Sequence, residues 1–302
     1  IYGSTKYTKK LTPNYININL DKLILGSKTK QYIKKFIDLY NKNKDPDDLI
    51  EIHNRPSYVK PLDSLNAKIV LYYHNDPTTM SGSVSIEERI DLVNICTKII
   101  FNSNWSKNQF LKNLPLVYKS SSKLIVIYQS IYSKKINLSK KEKNIIFVGK
   151  LNHAKGYDLF GNVIIKILDK YKDWTATVIG DEEREKYKFD HKNLNLLGFI
   201  KHNNVLKYFE RSSIAVVCSR WEEPFGRTSL EASSRGCAVI ISNRGGLPET
   251  IKNPIILKNL KQKHLYGKIE NLIKNKKILF KYKNINLKDF YLTDEFICQQ
   301  ID

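Results

Sequence analysis

Apolar and polar positions along the chain fall into two alternating patterns. Short apolar blocks read as strands: Leu49–His53, Lys68–Tyr73, Lys98–Phe101, Leu124–Ile127, Asn144–Val148, Thr175–Ile179, Asn195–Leu197, Ile214–Cys218 and Ala238–Ser242. Between them, stretches with a helical period read as amphipathic helices: Lys30–Tyr40, Ile86–Cys96, Trp105–Leu111, Asp158–Tyr171 and Asn203–Arg211. Strands that are apolar at nearly every position need cover on both faces. Their alternation with helices therefore predicts βαβ units and parallel sheets. A polar, lysine-rich break at Ser133–Lys143 interrupts the series and marks a linker between two domains, expected at 1–138 and 139–302. The 302 residues are enough for two cores.

One run departs from this regularity: Ser219-Arg220-Trp221-Glu222-Glu223-Pro224-Phe225-Gly226-Arg227-Thr228-Ser229-Leu230-Glu231-Ala232. Glu223 falls in a loop broken by Pro224 and Gly226, where helix forms poorly. Glu231 falls in a predicted helix of small residues, Ala232, Ser233 and Ser234, that stops at Gly236. Small residues imply close packing, so a carboxylate at Glu231 calls for a ligand or an ion pair.

The run resembles the signature of group 1 (family 4) glycosyltransferases, which have the GT-B fold: Glu-x7-Glu ahead of a helix, then a strand, then a Gly-Gly loop. Here the strand is Cys237–Ser242 and the loop is Asn243-Arg244-Gly245-Gly246-Leu247-Pro248-Glu249. Upstream, Ile145–Gly156 resembles the family's strand, glycine, basic residue and Lys-Gly helix start. His74, after the apolar run Ile69–Tyr73, resembles the histidine of the family's N-terminal domain, and Phe101–Trp105 resembles its strand-to-helix turn. Leu124–Ile127 resembles its last strand before the linker, with Tyr128-Gln129-Ser130 where Pro-Asn-Gly is usual. The resemblance implies an α/β protein of two Rossmann-like parallel-sheet domains facing a cleft. Ile1–Ser4 reads as the tail of a second strand, so the N-terminal domain is expected to lack its first βα unit.

By this resemblance Lys150 and Lys155 contact the diphosphate of a nucleotide-sugar, with Gly149 giving the turn between strand and loop. The family commonly has Arg where Lys150 stands, and Lys loses the bidentate fork. Glu231 would accept from the two ribose hydroxyls, since paired carboxylate oxygens match a vicinal diol. Glu223 would contact the donor sugar, His74 the sugar near its reacting carbon, and the Phe225 and Gly226 amides the sugar or phosphate, beside Arg227. Catalytic candidates are thus His74, Lys150, Lys155 and Glu223; donor-binding candidates are Gly149, Phe225, Gly226, Arg227 and Glu231. The competing readings are ordinary surface lysines, a structural histidine, and glutamates paired with Arg220 or Arg244. His53, with Arg55, is a weaker acceptor-side candidate. Asp45-Pro46-Asp47 resembles a metal-binding Asp-x-Asp, but a proline turn is the better reading.

The net charge of +21 opens a further question, because it suits either anionic lipid or nucleic acid. No zinc-finger, helix-turn-helix or aromatic-basic spacing is present, so no specific nucleic-acid partner is expected. Lysine, asparagine and isoleucine are abundant and alanine scarce, a drift that also explains the charge. Only eight basic residues are arginines, and five of these lie within Arg211–Arg244, suggesting a region that handles anions or holds its own glutamates. Arg211 and Arg235 read as surface or helix-terminal residues. The four cysteines lack a Cys-x-x-Cys pair, and three of them fall in apolar or strand-like surroundings, which reads as small buried apolar groups in a reducing compartment. No apolar run is long enough to span a membrane and no secretory leader is visible near Ile1.

The expected activity is retaining, metal-independent transfer of a hexose from a nucleotide-diphosphate sugar, needing no further cofactor. The acceptor would be a lipid-linked or oligosaccharide hydroxyl of a cell-envelope lipid or polysaccharide. The expected site of action is the cytoplasm, including the inner face of the cytoplasmic membrane. The alternative is a non-catalytic nucleotide-sugar-binding module.

Overall fold

The computed structural model describes residues 2–4, 15–20, 27–45 and 47–301, which fall into two units. The first holds Ile1–Phe101 and Lys107–Val126, and the second Asn102–Ser106 and Ile127–Asp302. The expected domain break at 138/139 therefore lies inside the second unit.

In the first unit, β1 (Tyr2–Gly3) pairs in parallel with β2 (Ile16–Asn17), and helix α1 (Lys28–Tyr40) follows. The main sheet is parallel, in the order β3 (Leu49–His53), β4 (Lys68–Tyr73), β5 (Lys98–Phe101), β6 (Leu124–Val126). Helices α2 (Val59–Leu62), α3 (Ile86–Ile95), α4 (Asn104–Leu111) and α5 (Leu116–Lys119) lie between these strands in sequence. Helix α3 starts where it does because Ser85 accepts from the Glu88 amide and Glu88 from the Ser85 amide, a reciprocal cap. Ile50, Ile52, Ile69, Leu71, Tyr73, Ile99 and Phe101 point into one core. On the edge strand β3, Leu49, Glu51 and His53 are exposed while Ile50 and Ile52 are buried, a plain period of two.

The second unit carries a six-stranded parallel sheet. Its strands are β7 (Glu142–Val148), β8 (Thr175–Ile179), β9 (Leu194–Leu196), β10 (Ser212–Val217), β11 (Ala238–Ser242) and β12 (Ile255–Leu257). They run in the spatial order β12-β11-β10-β7-β8-β9. Helices α6 (Tyr157–Lys170), α7 (His202–Arg211), α8 (Arg227–Ser234), α9 (Gln262–Lys274), α10 (Lys276–Lys288) and α11 (Asp294–Ile301) complete it. The continuous apolarity of the strands has a direct cause. Ile145, Phe147, Val178, Ile214, Val216 and Ile240 pack on one side with α6 and α9; Ile146, Ile179, Ala215, Val239 and Ile241 pack on the other with α7 and α8. Truncating a buried residue such as Phe147 to alanine costs about 3–5 kcal/mol in such a setting.

Of the nine expected strands, β3, β4, β5, β8 and β11 form with the expected ends and the other four with ends shifted by one or two residues, and the structure adds β2 and β12. Arg235 departs from its surface reading. It is the C-cap of α8 but fully buried, with its guanidinium 4.4 Å from the Tyr132 ring centre and 3.7 Å from Glu210. Gly236 ends α8 as expected, at φ 70°, with its amide on the Ser233 carbonyl and that of Cys237 on Ala232, the paired bonds of a Schellman stop.

Candidate functional site

His74 lies in the first unit and the remaining candidates in the second. In the second unit they gather at the carboxyl ends of the central strands β7 and β10, where open parallel sheets bind ligands. Gly149 follows β7 at φ 149°, and a Cβ on Gly180 would stand 1.9 Å from the Gly149 carbonyl, so the ends of β7 and β8 touch backbone to backbone. Lys150 is exposed and makes no ion pair among the described residues. The chain then turns, the Lys155 amide donating to Asn152 Oδ1 at 3.0 Å, and enters α6 through Gly156.

Gly156 and Gly226 play matching parts. Each is the N-cap of a helix, α6 and α8, in the left-handed region at φ 75° and 113°, and neither helix has a side-chain cap. A Cβ on Gly156 would meet the Cys218 carbonyl at 2.2 Å. Two helix N-termini, each the positive end of a helix dipole, thus lie at the same strand ends as Lys150 and Lys155, although at α6 the Tyr157 amide is already taken by the Asn152 carbonyl at 3.1 Å. The first turn of α8 carries no acid. That of α6 carries Asp158, held by both nitrogens of Arg220 at 2.7 and 2.9 Å.

Lys155 Nζ is 2.5 Å from Glu223 Oε1, with the lysine side chain 33% exposed and the glutamate 13%. The Gly-Gly loop fixes the glutamate from behind. The Gly246 amide donates to the Glu223 carbonyl at 2.6 Å, and a Cβ on Gly245 would stand 2.1 Å from that carbonyl. Glu231, in contrast, is buried inside α8, its Oε1 accepting from His202 Nε2 at 2.9 Å and Arg227 Nε at 3.3 Å. The expected alternative partners are engaged elsewhere, Arg220 with Asp158 and Arg244 with Glu222 at 2.8 Å. Phe225 is a core residue whose ring lies 5.9 Å from that of Tyr128, so only its backbone is free to serve a ligand.

Two supports escaped the sequence reading. Asn152 donates to Glu182 and the His153 amide to Glu185, tying the Lys150–Lys155 loop to the segment after β8; Arg184 holds the Glu182 carboxyl at about 2. Glu249, in the Gly-Gly loop, accepts from the amides of Asn104 at 2.7 Å and Trp105 at 2.8 Å, from the Asn104 side chain and from Tyr128, whose hydroxyl is pushed up by burial and then by that carboxylate.

In the first unit His74 follows β4, its Nε2 3.0 Å from His53 Nδ1 with the two rings parallel within 4°. The Tyr72 ring lies against His53 at 4.5 Å. Burial, then the neighbouring imidazole, lowers the His74 pKa. Asp45 accepts from the Asp47 amide, as in a turn, while Pro46 lies outside the described residues. Among the described residues no group of three or more His, Cys, Asp or Glu is placed to hold a metal ion.

Residues 129–288, more than half of the chain, match the family described as glycosyl transferases, group 1. The chain belongs to this family. A Klebsiella pneumoniae relative, an uncharacterized 41.2 kDa protein in the cps region, is 33% identical over 147 residues, covering 44% of this chain and 40% of its own length. Spore coat protein SA of Bacillus subtilis is 25% identical over 260 residues, covering 73% of this chain and 67% of its own. Among solved structures, Anabaena HepE in complex with UDP superposes with TM-score 0.72 at 16% identity, over 89% of this chain and 80% of HepE. A glycosyltransferase from Rickettsia africae does so with TM-score 0.74 at 17% identity, over 95% and 83%. The fold of this group 1 glycosyl transferase is therefore GT-B, and its family match spans the strand ends that carry Lys150, Lys155, Glu223 and Glu231.

The residue that sequence reading missed most plainly is His202. Its position in the first turn of α7 is legible, but its contact with Glu231, 29 residues on, depends on how α7 packs against α8.

Proposed function

We propose that the chain transfers a hexose from a nucleotide-diphosphate sugar to a hydroxyl acceptor with retention at the anomeric carbon. The observation that carries this reading is the convergence of two uncapped helix N-termini with Lys150, Lys155 and the Glu223–Glu231 pair at the ends of β7 and β10. A diphosphate brings negative charge that such a place stabilises. In the reaction the bond from the anomeric carbon to the diphosphate oxygen breaks and one to the acceptor oxygen forms. The acceptor's proton passes to the leaving phosphate. Lys150, Lys155 and the amides of Phe225 and Gly226 would hold the developing charge, Glu223 the sugar hydroxyls and Glu231 the ribose. His74 is assigned to the sugar near its reacting carbon. With the positive charge supplied by the protein, the reading assigns no metal and no further cofactor.

HepE was solved with UDP and with UDP-glucose, which makes a uridine nucleotide the first donor to try. The cps-region and spore-coat names of two relatives are in keeping with a lipid-linked or oligosaccharide acceptor in the envelope. Among the described residues no helix is long and apolar enough to cross a membrane, and the charge of +21 favours docking on the anionic inner face of the cytoplasmic membrane. Cosedimentation with anionic vesicles at rising salt tests that part.

Incubation with UDP-hexoses in EDTA, followed by proton NMR of the anomeric signal, tests the whole. Release of the nucleotide with the anomeric configuration kept in the product is expected. An inverted product, or turnover unchanged in Lys155→Ala, would overturn the assignment. Nucleotide binding with no turnover on any acceptor would favour a binding module instead.

A further inference from the structure

The carboxylate of Glu231 is used unevenly. Both of its donors, His202 Nε2 at 2.9 Å and Arg227 Nε at 3.3 Å, reach the same oxygen, Oε1. A carboxylate accepts but cannot donate while ionised, so the imidazole carries the proton at Nε2. The carboxylate side chain is only 8% exposed, whereas those of His202 and Arg227 are 52% and 54% exposed, so two open side chains flank a buried acceptor. The two donors hold it differently. Arg227 sits one turn back on the same helix and moves with it, whereas His202 comes from the first turn of α7 and ties the carboxylate to a separate element.

We propose that His202 is a positioning residue for the donor nucleotide: by engaging Oε1 of Glu231 from α7, it fixes the carboxylate rotamer and leaves Oε2 presented to the ribose diol. This rests on the assignment of Glu231 to the ribose. An unfixed carboxylate on a flexible side chain rotates about its last torsions, and the two hydroxyls then meet an acceptor oxygen whose direction is not set. A fixed one recognises the 2′-hydroxyl and its neighbour together. His202 thereby sets how strongly the site prefers a ribonucleotide to its 2′-deoxy form.

The experiment compares UDP with 2′-deoxy-UDP by calorimetry, using wild type, His202→Ala, His202→Gln and Glu231→Ala. A hydrogen bond to a charged acceptor is worth roughly tenfold to a hundredfold in affinity, so wild type should prefer UDP by about that factor. His202→Ala should lose most of the preference, with 2′-deoxy-UDP binding changed by less than about threefold. His202→Gln, which can donate one neutral hydrogen bond at similar reach, should recover a large part of it. In steady state with UDP-sugar, His202→Ala should raise KM more than it lowers kcat. A preference intact in His202→Ala but lost in Glu231→Ala would overturn the role of His202 and leave the ribose assignment standing. A preference intact in Glu231→Ala would overturn the ribose assignment itself. A preference lost in both His202 variants alike would reduce His202 to packing and overturn the proposal.

Discussion

Glu223 and Lys155 form an ion pair, and this has a counterintuitive consequence for nucleotide binding. The lysine assigned to the diphosphate is already neutralised, so any diphosphate competes with Glu223 for it. In Glu223→Gln the lysine is released and the nucleotide diphosphate should bind more tightly, although a residue assigned to the sugar has been removed. The bare Coulomb term for two charges at 4 Å is about 4 kcal/mol at an effective dielectric of 20, while exposed pairs measure about 0.2–1 kcal/mol. Glu223 is 13% exposed but Lys155 33%, so the screened end of that span applies, about 1 kcal/mol. That corresponds to about fivefold tighter UDP binding, measured by calorimetry at two salt concentrations. Turnover should move the opposite way and fall about tenfold or more, because Gln cannot accept from sugar hydroxyls with a full charge. Weaker UDP binding in Glu223→Gln, with the thermal midpoint intact, would refute the competition argument.

Other consequences follow from the same geometry. Gly156→Ala must place a side chain in the left-handed region, about 1–2 kcal/mol, and overlap the Cys218 carbonyl, about 1–3 kcal/mol more; calorimetric unfolding should show a loss of that order, and an unchanged midpoint would contradict the close approach of α6 to β10. Glu249→Ala removes the acceptor of two backbone amides and should destabilise by about 1–3 kcal/mol, with Glu249→Gln recovering part in the same unfolding assay. The Glu270 carboxyl is held at about 2 by hydrogen bonds from Lys170 and then Tyr171. A folded-state value below the unfolded one gives stability that is present above about pH 4.5 and lost as pH falls toward about 2. Glu270→Gln should therefore flatten the acid limb of thermal stability in that window, and a curve parallel to wild type would contradict the pairing.

Period and composition were enough to read the second unit's sheet, because β7, β8, β10 and β11 each carry a run of apolar residues buried on both faces, such as Ile145–Phe147 and Ile214–Val216. They failed at β12, where three apolar residues between Pro254 and Lys258 fall below any reliable run length. The loop chemistry was half legible. Lys155-Gly156 and the Gly-Gly pair could be placed at strand ends by their spacing. The partner of each charge could not, because it depends on which helix faces which. Thus Arg220 and Arg244 hold Asp158 and Glu222, not Glu223 or Glu231. Likewise Arg235 reads as a helix-end arginine in sequence and is fully buried in the fold. His202 shows the same limit, since nothing local to it announces Glu231.

The most direct test of the donor site is thermal unfolding with UDP, GDP and ADP in turn, in EDTA, for wild type and Glu231→Ala. A nucleotide at 100 times its Kd should stabilise wild type by about 2.7 kcal/mol. The account predicts a shift with one nucleotide that is lost in Glu231→Ala. No shift with any of the three, or an equal shift in the variant, would contradict it.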